Sequence, residues 1–362
     1  MKSKKTVTTL VATILFTSTI LLFEVRTTNA QFQYIYYDRE AFFIDNSLLG
    51  ARASGLAYTQ VSDPYSLDGI HSNPAAFLFS DNRTTVSTNL YYSSFHNIVA
   101  ENITAVLHRN PRNLIVAGFT LQHEGPSSSS SRHIEPEIPV QFRQYEGSIH
   151  YARKVGSNIS AGGSLYGSYG TTDLHEEWAF YTKFGILYAP APAVSYGLTY
   201  TGSFGIEAGN MGSFLTYRYR IPAQEVDSPE NGVDENSGSE TLKDGRSYTL
   251  LSREGMPDRL EIGATLRFPS YTDHPNFKIS FANEKIFDHP GMIYRAGFEY
   301  FSFTPLILRG GYFYSPIKSG LRTGFGLNLG WMTIDYSFSN KDIGIQGNTH
   351  QVGISINFTS AN

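Results

Sequence analysis

Six charged residues, Arg267, Arg295, Glu299, Arg309, Arg322 and Asp335, lie in stretches otherwise rich in aromatic and aliphatic side chains. Charges placed so have three uses. They pair with one another, they line a polar path, or they hold another part of the chain, for which Asp63, Asp68 and Asn73 are available upstream. The ten histidines are scattered along the chain. His175-Glu176-Glu177 sets three cation-binding groups in a row, but in a stretch predicted to be an external loop, where a solvated histidine is the better reading. There is no Gly-x-Ser-x-Gly elbow, no His-Glu-x-x-His and no Walker sequence. Cysteine is absent, which removes disulfides, thiol catalysis and thiolate metal sites. The sequence therefore reads as a non-enzyme, with no catalytic residue, no cofactor and no metal site.

The elements that position those charges follow from a period of two. Leu260, Ile262, Ala264, Leu266 and Phe268 alternate with Glu261, Gly263, Thr265 and Arg267. Met292, Tyr294, Ala296, Phe298 and Tyr300 alternate with Ile293, Arg295, Gly297 and Glu299. Val352, Ile354, Ile356 and Phe358 alternate with Gln351, Gly353, Ser355 and Asn357. Successive side chains of a strand leave opposite faces, so each segment has one apolar face and one polar face. A soluble sandwich buries the apolar face; a transmembrane barrel turns it to lipid and keeps the polar face for a lumen.

The rest of the chain decides between the two. Among 362 residues there are 24 Tyr and 25 Phe but only 17% charged residues, a strand-forming and interface-seeking composition. Lys2, Lys4 and Lys5 precede an apolar run from Val7 to Phe23, and Thr28-Asn29-Ala30 offers small residues for cleavage. Residues 1–30 thus read as a signal peptide, with Gln31 the first mature residue. Its removal takes away four cations and one anion, so the formal charge goes from −4 to −7, which argues against a nucleic-acid partner. No later run is long and apolar enough for a spanning helix. Export, alternation and the lack of a helical span together predict an all-β fold, a transmembrane antiparallel barrel in a bacterial outer membrane.

Turns divide residues 83–358 into fourteen alternating segments of about ten residues, from 83–94 to 347–358. An even number returns both ends of the barrel to the periplasm. Short connections such as Asn110-Pro111-Arg112 fall on one side and two long external loops, 124–140 and 206–256, on the other. Phe214 to Arg220 alternates as well and extends a strand above the membrane. Residues 359–362 form a short tail.

Residues 31–82 do not alternate. Within them the run from Ala51 through Gly55, Ala57 and Tyr58 to Asp63, and then to Asn73-Pro74-Ala75, resembles the N-terminal plug of FadL-type hydrophobic-compound transporters and of PorV/PorQ-type outer-membrane proteins. It departs from that pattern at Leu56 and at Ala76-Phe77. The resemblance implies that residues 31–82 form a plug in the lumen. By its own chemistry Asn73-Pro74-Ala75 is a tight turn, with proline fixing φ and the asparagine amide bonding nearby backbone. Phe358, near the end of the last strand, resembles the aromatic signal read by barrel-assembly machinery, and Gly347-Asn348-Thr349-His350 resembles the lead-in of related C-termini.

The resemblance implies passive, plug-gated passage of hydrophobic small molecules, fatty-acid-like or aromatic, with outer-membrane lipid around the barrel and a ligand captured between the long loops. Its other branch implies a barrel that moves nothing and docks a protein of the secretion or surface-assembly machinery. Lumen-phase Ile293, Ile307 and Phe313 offer apolar surface for the first. The motifs are shared by both branches.

Overall fold

The computed structural model describes residues 49–79, 84–94, 98–124, 143–171, 175–203, 205–207, 210–212, 215–220, 247–252, 258–268, 276–287, 291–303, 305–315, 319–340 and 348–358. The signal peptide predicted over 1–30, the stretch 31–48, most of the predicted loop 124–140 and the tail 359–362 lie outside the described residues.

Seven strands come first: β1 (Thr84–Ser93), β2 (Ile98–Arg109), β3 (Asn113–Glu124), β4 (Arg143–Lys154), β5 (Ile159–Thr171), β6 (His175–Ala191) and β7 (Val194–Ser203). Four short ones follow: β8 (Gly205–Glu207), β9 (Asn210–Gly212), β10 (Leu215–Arg220) and β11 (Ser247–Ser252). Seven more complete the chain: β12 (Arg259–Phe268), β13 (Phe277–Ile286), β14 (Ile293–Phe303), β15 (Leu306–Tyr314), β16 (Ser319–Asn328), β17 (Met332–Ser339) and β18 (Thr349–Phe358). Strands β1–β7 and β12–β18 pair with their neighbours, all antiparallel. Strand β7 joins the halves by pairing with β6 on one side and β12 on the other. Pairing of β1 with β18, from Thr84↔Phe358 to Ser93↔Thr349, closes the wall. The fourteen predicted strands are all present, and closure leaves no edge in the wall.

Side-chain alternation accounts for which face each residue takes. In β2 buried and exposed positions alternate, with Asn102 and Thr104 inward and Ile103 and Leu107 outward. Outward side chains include Phe119, Ile149, Leu165, Phe180, Phe184, Phe298 and Leu321, all exposed. Inward ones include Ser87, Asn89, Gln144, His150, Thr199, Glu299 and Arg322, all buried. A wall with apolar groups outside and polar groups inside is the inverse of a water-soluble barrel. No helix among the described residues is long and apolar enough to cross a membrane.

Within the predicted loop 206–256, the described residues are paired strands. The loop contains β8 and β9 as a small hairpin and β10 and β11 as a second. Strand β10 pairs with His175–Ala179 of β6, beyond the point where β6 leaves β7. His175-Glu176-Glu177, predicted in a loop, is therefore the start of β6. The reason is length: β6 has 17 residues and β7 only 10, so the surplus of β6 exposes backbone groups that β10 satisfies.

Residues 49–79 lie inside the wall. They form one helical turn, α1 (Ala51–Gly55), and two 3-10 turns, Gln60–Ser62 and Asp68–Ile70. Helix α1 lies against β15–β18 and β1, and Gln60–Ser62 against β7, β12 and β13. Almost every residue of this inner segment is buried, with Tyr65 its exposed exception. Leu67, Ile70, Phe77 and Leu78 pack on Val106, Leu114, Val116 and Ala152, near the end of the barrel that carries the short turns. Leu49 packs on Tyr91, Ile98 and Ala100 near the other end.

Candidate functional site

The inner segment meets the wall in two ways, by backbone contact against glycines and by a buried set of charges. The backbone contact begins at Asn73-Pro74-Ala75. The Asn73 amide donates to the Val61 carbonyl at 2.7 Å and to the Ile186 carbonyl at 3.2 Å, while its Oδ1 accepts from the Ala75 N–H at 2.9 Å. One side chain therefore ties the turn to itself, to the rest of the inner segment and to β6. Ser160 Oγ on β5 donates to the Ala75 carbonyl at 2.7 Å.

This approach requires walls without side chains. A Cβ on Gly162 would lie 2.6 Å from the Pro74 carbonyl, and one on Gly185 would collide with Asn73 Oδ1 and lie 2.9 Å from Pro74 Cδ. Gly162 and Gly185 are register partners. The pattern recurs at Gly197↔Gly263, which flank Val61, and at Gly297↔Gly311, which flank Leu56 and Ala57. A Cβ on Gly297 would lie 2.6 Å from the Leu56 carbonyl, and one on Gly311 2.6 Å from the Ala57 nitrogen. Three cross-strand glycine pairs thus form a track on which the inner backbone lies. Where it turns past Gly311, Ala57 and Tyr58 take left-handed φ values of 52° and 59°, which L-residues adopt only when held. The Ala57 and Tyr58 amides bond to the Ser54 and Ala53 carbonyls, and Tyr58 Oη accepts from Gln351 Nε2 on β18 at 2.9 Å.

The charges centre on Glu299, whose side chain is fully buried on β14. Its Oε1 accepts from Arg52 Nε at 2.8 Å and Arg309 Nε at 2.7 Å, and its Oε2 accepts from Arg52 Nη2 at 2.8 Å. The Lys278 ammonium pairs with the same carboxylate. Asp63 Oδ2 accepts from Arg52 Nη2 at 2.9 Å and Lys278 Nζ at 2.8 Å, with Arg267 3.9 Å from its other oxygen. Arg309 Nη1 continues to Asp335 Oδ1 at 2.6 Å. Arg52 and Asp63 belong to the inner segment and the rest to the wall, so the network is the seam between them. Low local dielectric makes such pairs strong and makes an orphaned member costly.

Five of the six charges singled out in the sequence meet or neighbour this seam. Arg267, Glu299, Arg309 and Asp335 belong to it, and Arg322 donates to Ser54 Oγ at 3.0 Å with its guanidinium over the Tyr58 ring. Arg295 stands apart, paired with Glu284 on adjacent β13 and, at 3.2 Å, with Glu261 one strand further on β12. Gly55 lies against Gly324 and Arg309. Asp68 accepts from Ser87 Oγ at 3.2 Å. Phe358 ends the closing strand with its side chain exposed on the outer face. Ile307 and Phe313 point inward and are buried; the Phe313 ring lies 5.4 Å from the Arg322 guanidinium.

Sequence reasoning missed Arg52 and Lys278, two of the three cations on Glu299. Lys278 carries a readable signal, since it shares parity with Ser280 and Glu284 on a predicted strand. Arg52 carries a weaker one, a lone charge in a run of small residues. A second polar ladder on β4–β6 also went unread. There Tyr181 Oη donates to Glu146, its ring stacks on Tyr166 at 4.3 Å, His150 accepts or donates with Ser164 and Ser148, and Lys183 Nζ donates to the His71 carbonyl at 2.6 Å. No group of His, Asp and Glu suited to a metal ion occurs among the described residues.

Asp63 predicts a pH dependence. Burial by itself pushes its carboxyl up, but the Lys278 ammonium, then Arg52 and Arg267, outweigh that and hold it below the usual carboxylate range. A carboxyl whose folded value lies below its unfolded value of about 3.9 contributes stability that is complete above that value and is lost as pH falls towards the folded one. The unfolding midpoint is expected to be insensitive to this group from neutral pH to about 5 and to drop below about 4. Acid titration of Asp63→Asn should show a shallower drop from a lower starting point.

No protein-family model and no curated protein matches the chain. Solved structures match in fold. The CymD monoaromatic hydrocarbon channel aligns with TM-score 0.57 and 12% identity, over 87% of this chain and 98% of its own. The Ralstonia pickettii toluene transporter TbuX aligns with TM-score 0.59 and 12% identity, over 86% and 98%. A Pseudomonas aeruginosa FadL homologue aligns with TM-score 0.59 and 10% identity, over 86% and 98%. At these identities the likeness is one of fold: a closed fourteen-stranded barrel of the FadL type.

Proposed function

We propose that the chain is a bacterial outer-membrane barrel for the passive passage of small hydrophobic molecules, gated by its inner segment acting as a plug. The observation that carries this is the pairing of an inverted, closed wall with an interior occupied by an N-terminal segment, in a fold shared with a monoaromatic hydrocarbon channel and a toluene transporter. Residues 31–82 are the plug in this reading, and residues 83–358 the wall. Cells whose outer membrane carries the protein are expected to take up labelled toluene several-fold faster than cells with empty vector, unchanged by an uncoupler. Equal rates would overturn it.

A second reading rests on one observation. The described interior holds two separate clusters of buried apolar side chains, one around Leu49 and one around Ile70 towards the other end, besides a buried network of charges. A barrel so filled suits a docking component of protein secretion or surface assembly that passes nothing. Stoichiometric co-purification with a translocon or a secreted protein, together with no toluene uptake, favours this reading.

A further inference from the structure

At the end of the wall that carries Thr84, Phe358 and the short turns, exposed charge among the described residues is all of one sign and confined to one sector. Arg112, in the β2–β3 turn, and Arg153, near the end of β4, are exposed. No carboxylate among the described residues pairs with either, and the acidic side chains nearest this end, Asp63, Glu299 and Asp335, are turned inward and buried.

The two arginines are neighbours by construction. Arg153 is the register partner of Asn113, the residue after Arg112, and the Lys154 amide donates to the Arg112 carbonyl at 2.8 Å. Parity sets the direction of Arg153. Gln144, Glu146, His150 and Ala152 are the inward, buried residues of β4, so Arg153 takes the outward face with Ile149 and Tyr151. Ile149 and Tyr151 are 50% and 47% exposed and form the apolar strip directly above it, with Ile159 beside it on β5. Tyr151 Oη donates to Asn113 Oδ1 at 2.9 Å, which places a ring with a polar tip at the boundary between strip and turn.

We propose that Arg112 and Arg153 form a binding site for the phosphate of an anionic phospholipid in the periplasmic leaflet, with the acyl chains lying along Ile149, Tyr151 and Ile159. Guanidinium groups take a phosphodiester through paired charge-assisted hydrogen bonds, and one at headgroup depth beside an apolar strip does so without losing its water contact. An acidic protein would need the charge displayed away from lipid, whereas Arg153 lies on the lipid-facing side of the strand. The site goes beyond the proposed passage and holds whether or not the barrel passes a solute.

Native mass spectrometry of the purified full chain in mixed micelles with equal phosphatidylglycerol and phosphatidylcholine tests it. The wild type is expected to retain phosphatidylglycerol about tenfold over phosphatidylcholine. Arg112→Gln/Arg153→Gln should bring that ratio near unity, while Arg143→Gln, at the opposite end of β4, should leave it unchanged. All three side chains are exposed, and circular dichroism verifies that each variant retains its strand content. No preference in the wild type, or the same preference in wild type and double variant, overturns the site.

Discussion

Glu299→Leu is expected to destabilise the barrel by about 3–5 kcal/mol, because it leaves Arg52, Lys278 and Arg309 converging on an apolar side chain. The loss exceeds that of an exposed ion pair by several-fold, since Lys278 and Arg309 are buried and Arg52 mostly so, with Asp63 and Asp335 left to balance all three. The measurement is the unfolding free energy of detergent-solubilised protein by urea titration. Arg52→Met alone should cost less, because Glu299 keeps Lys278 and Arg309. The double variant Arg52→Met/Glu299→Leu should cost less than the sum of the two singles, since each then removes part of the other's stranded charge. Full additivity would mean that the seam is not a coupled network. The same variants bear on gating: if the seam holds the plug, Glu299→Leu raises bilayer conductance while the wall stays folded.

Gly185→Val is expected to produce the second large effect, by a different route. Valine is a good strand former, so the wall itself tolerates it. The added Cβ meets Asn73 and Pro74, in a turn held by the Asn73 bonds to Val61 and Ile186 and by the Ser160 bond to the following Ala75. Overpacking of this kind costs about 1–3 kcal/mol, and the backbone contact puts this site at or above the upper end. The expected outcome is a folded barrel with a displaced inner segment, read as increased conductance and new protease sensitivity within residues 49–79. Gly147→Val is the control, because nothing lies within 4 Å of a Cβ there. Equal behaviour of the two variants would show that the glycine track does not seat the inner segment.

The strands were legible because their signal is local. A period of two is written into each segment of about ten residues and survives without knowledge of any partner. The excess length of β6 and its pairing with β10 were half legible. Phe214–Arg220 showed its alternation, but which strand it would join depends on where β7 stops pairing. Asn73-Pro74-Ala75 was legible as a turn, since proline and asparagine act on adjacent backbone. That its amide also reaches Ile186, 113 residues away, was not.

The sequence alone therefore determined the alternation of each segment, the fourteen staves and which charges share the polar face, because parity and turn residues act locally along the chain. The tertiary structure decided which charges meet. Arg52 and Glu299 are 247 residues apart, and only closure of β1 on β18 and the register of every strand between bring them to 2.8 Å. It also decided that glycines scattered along the chain face each other in pairs, because cross-strand partnership is set by register, and register is a property of the whole wall.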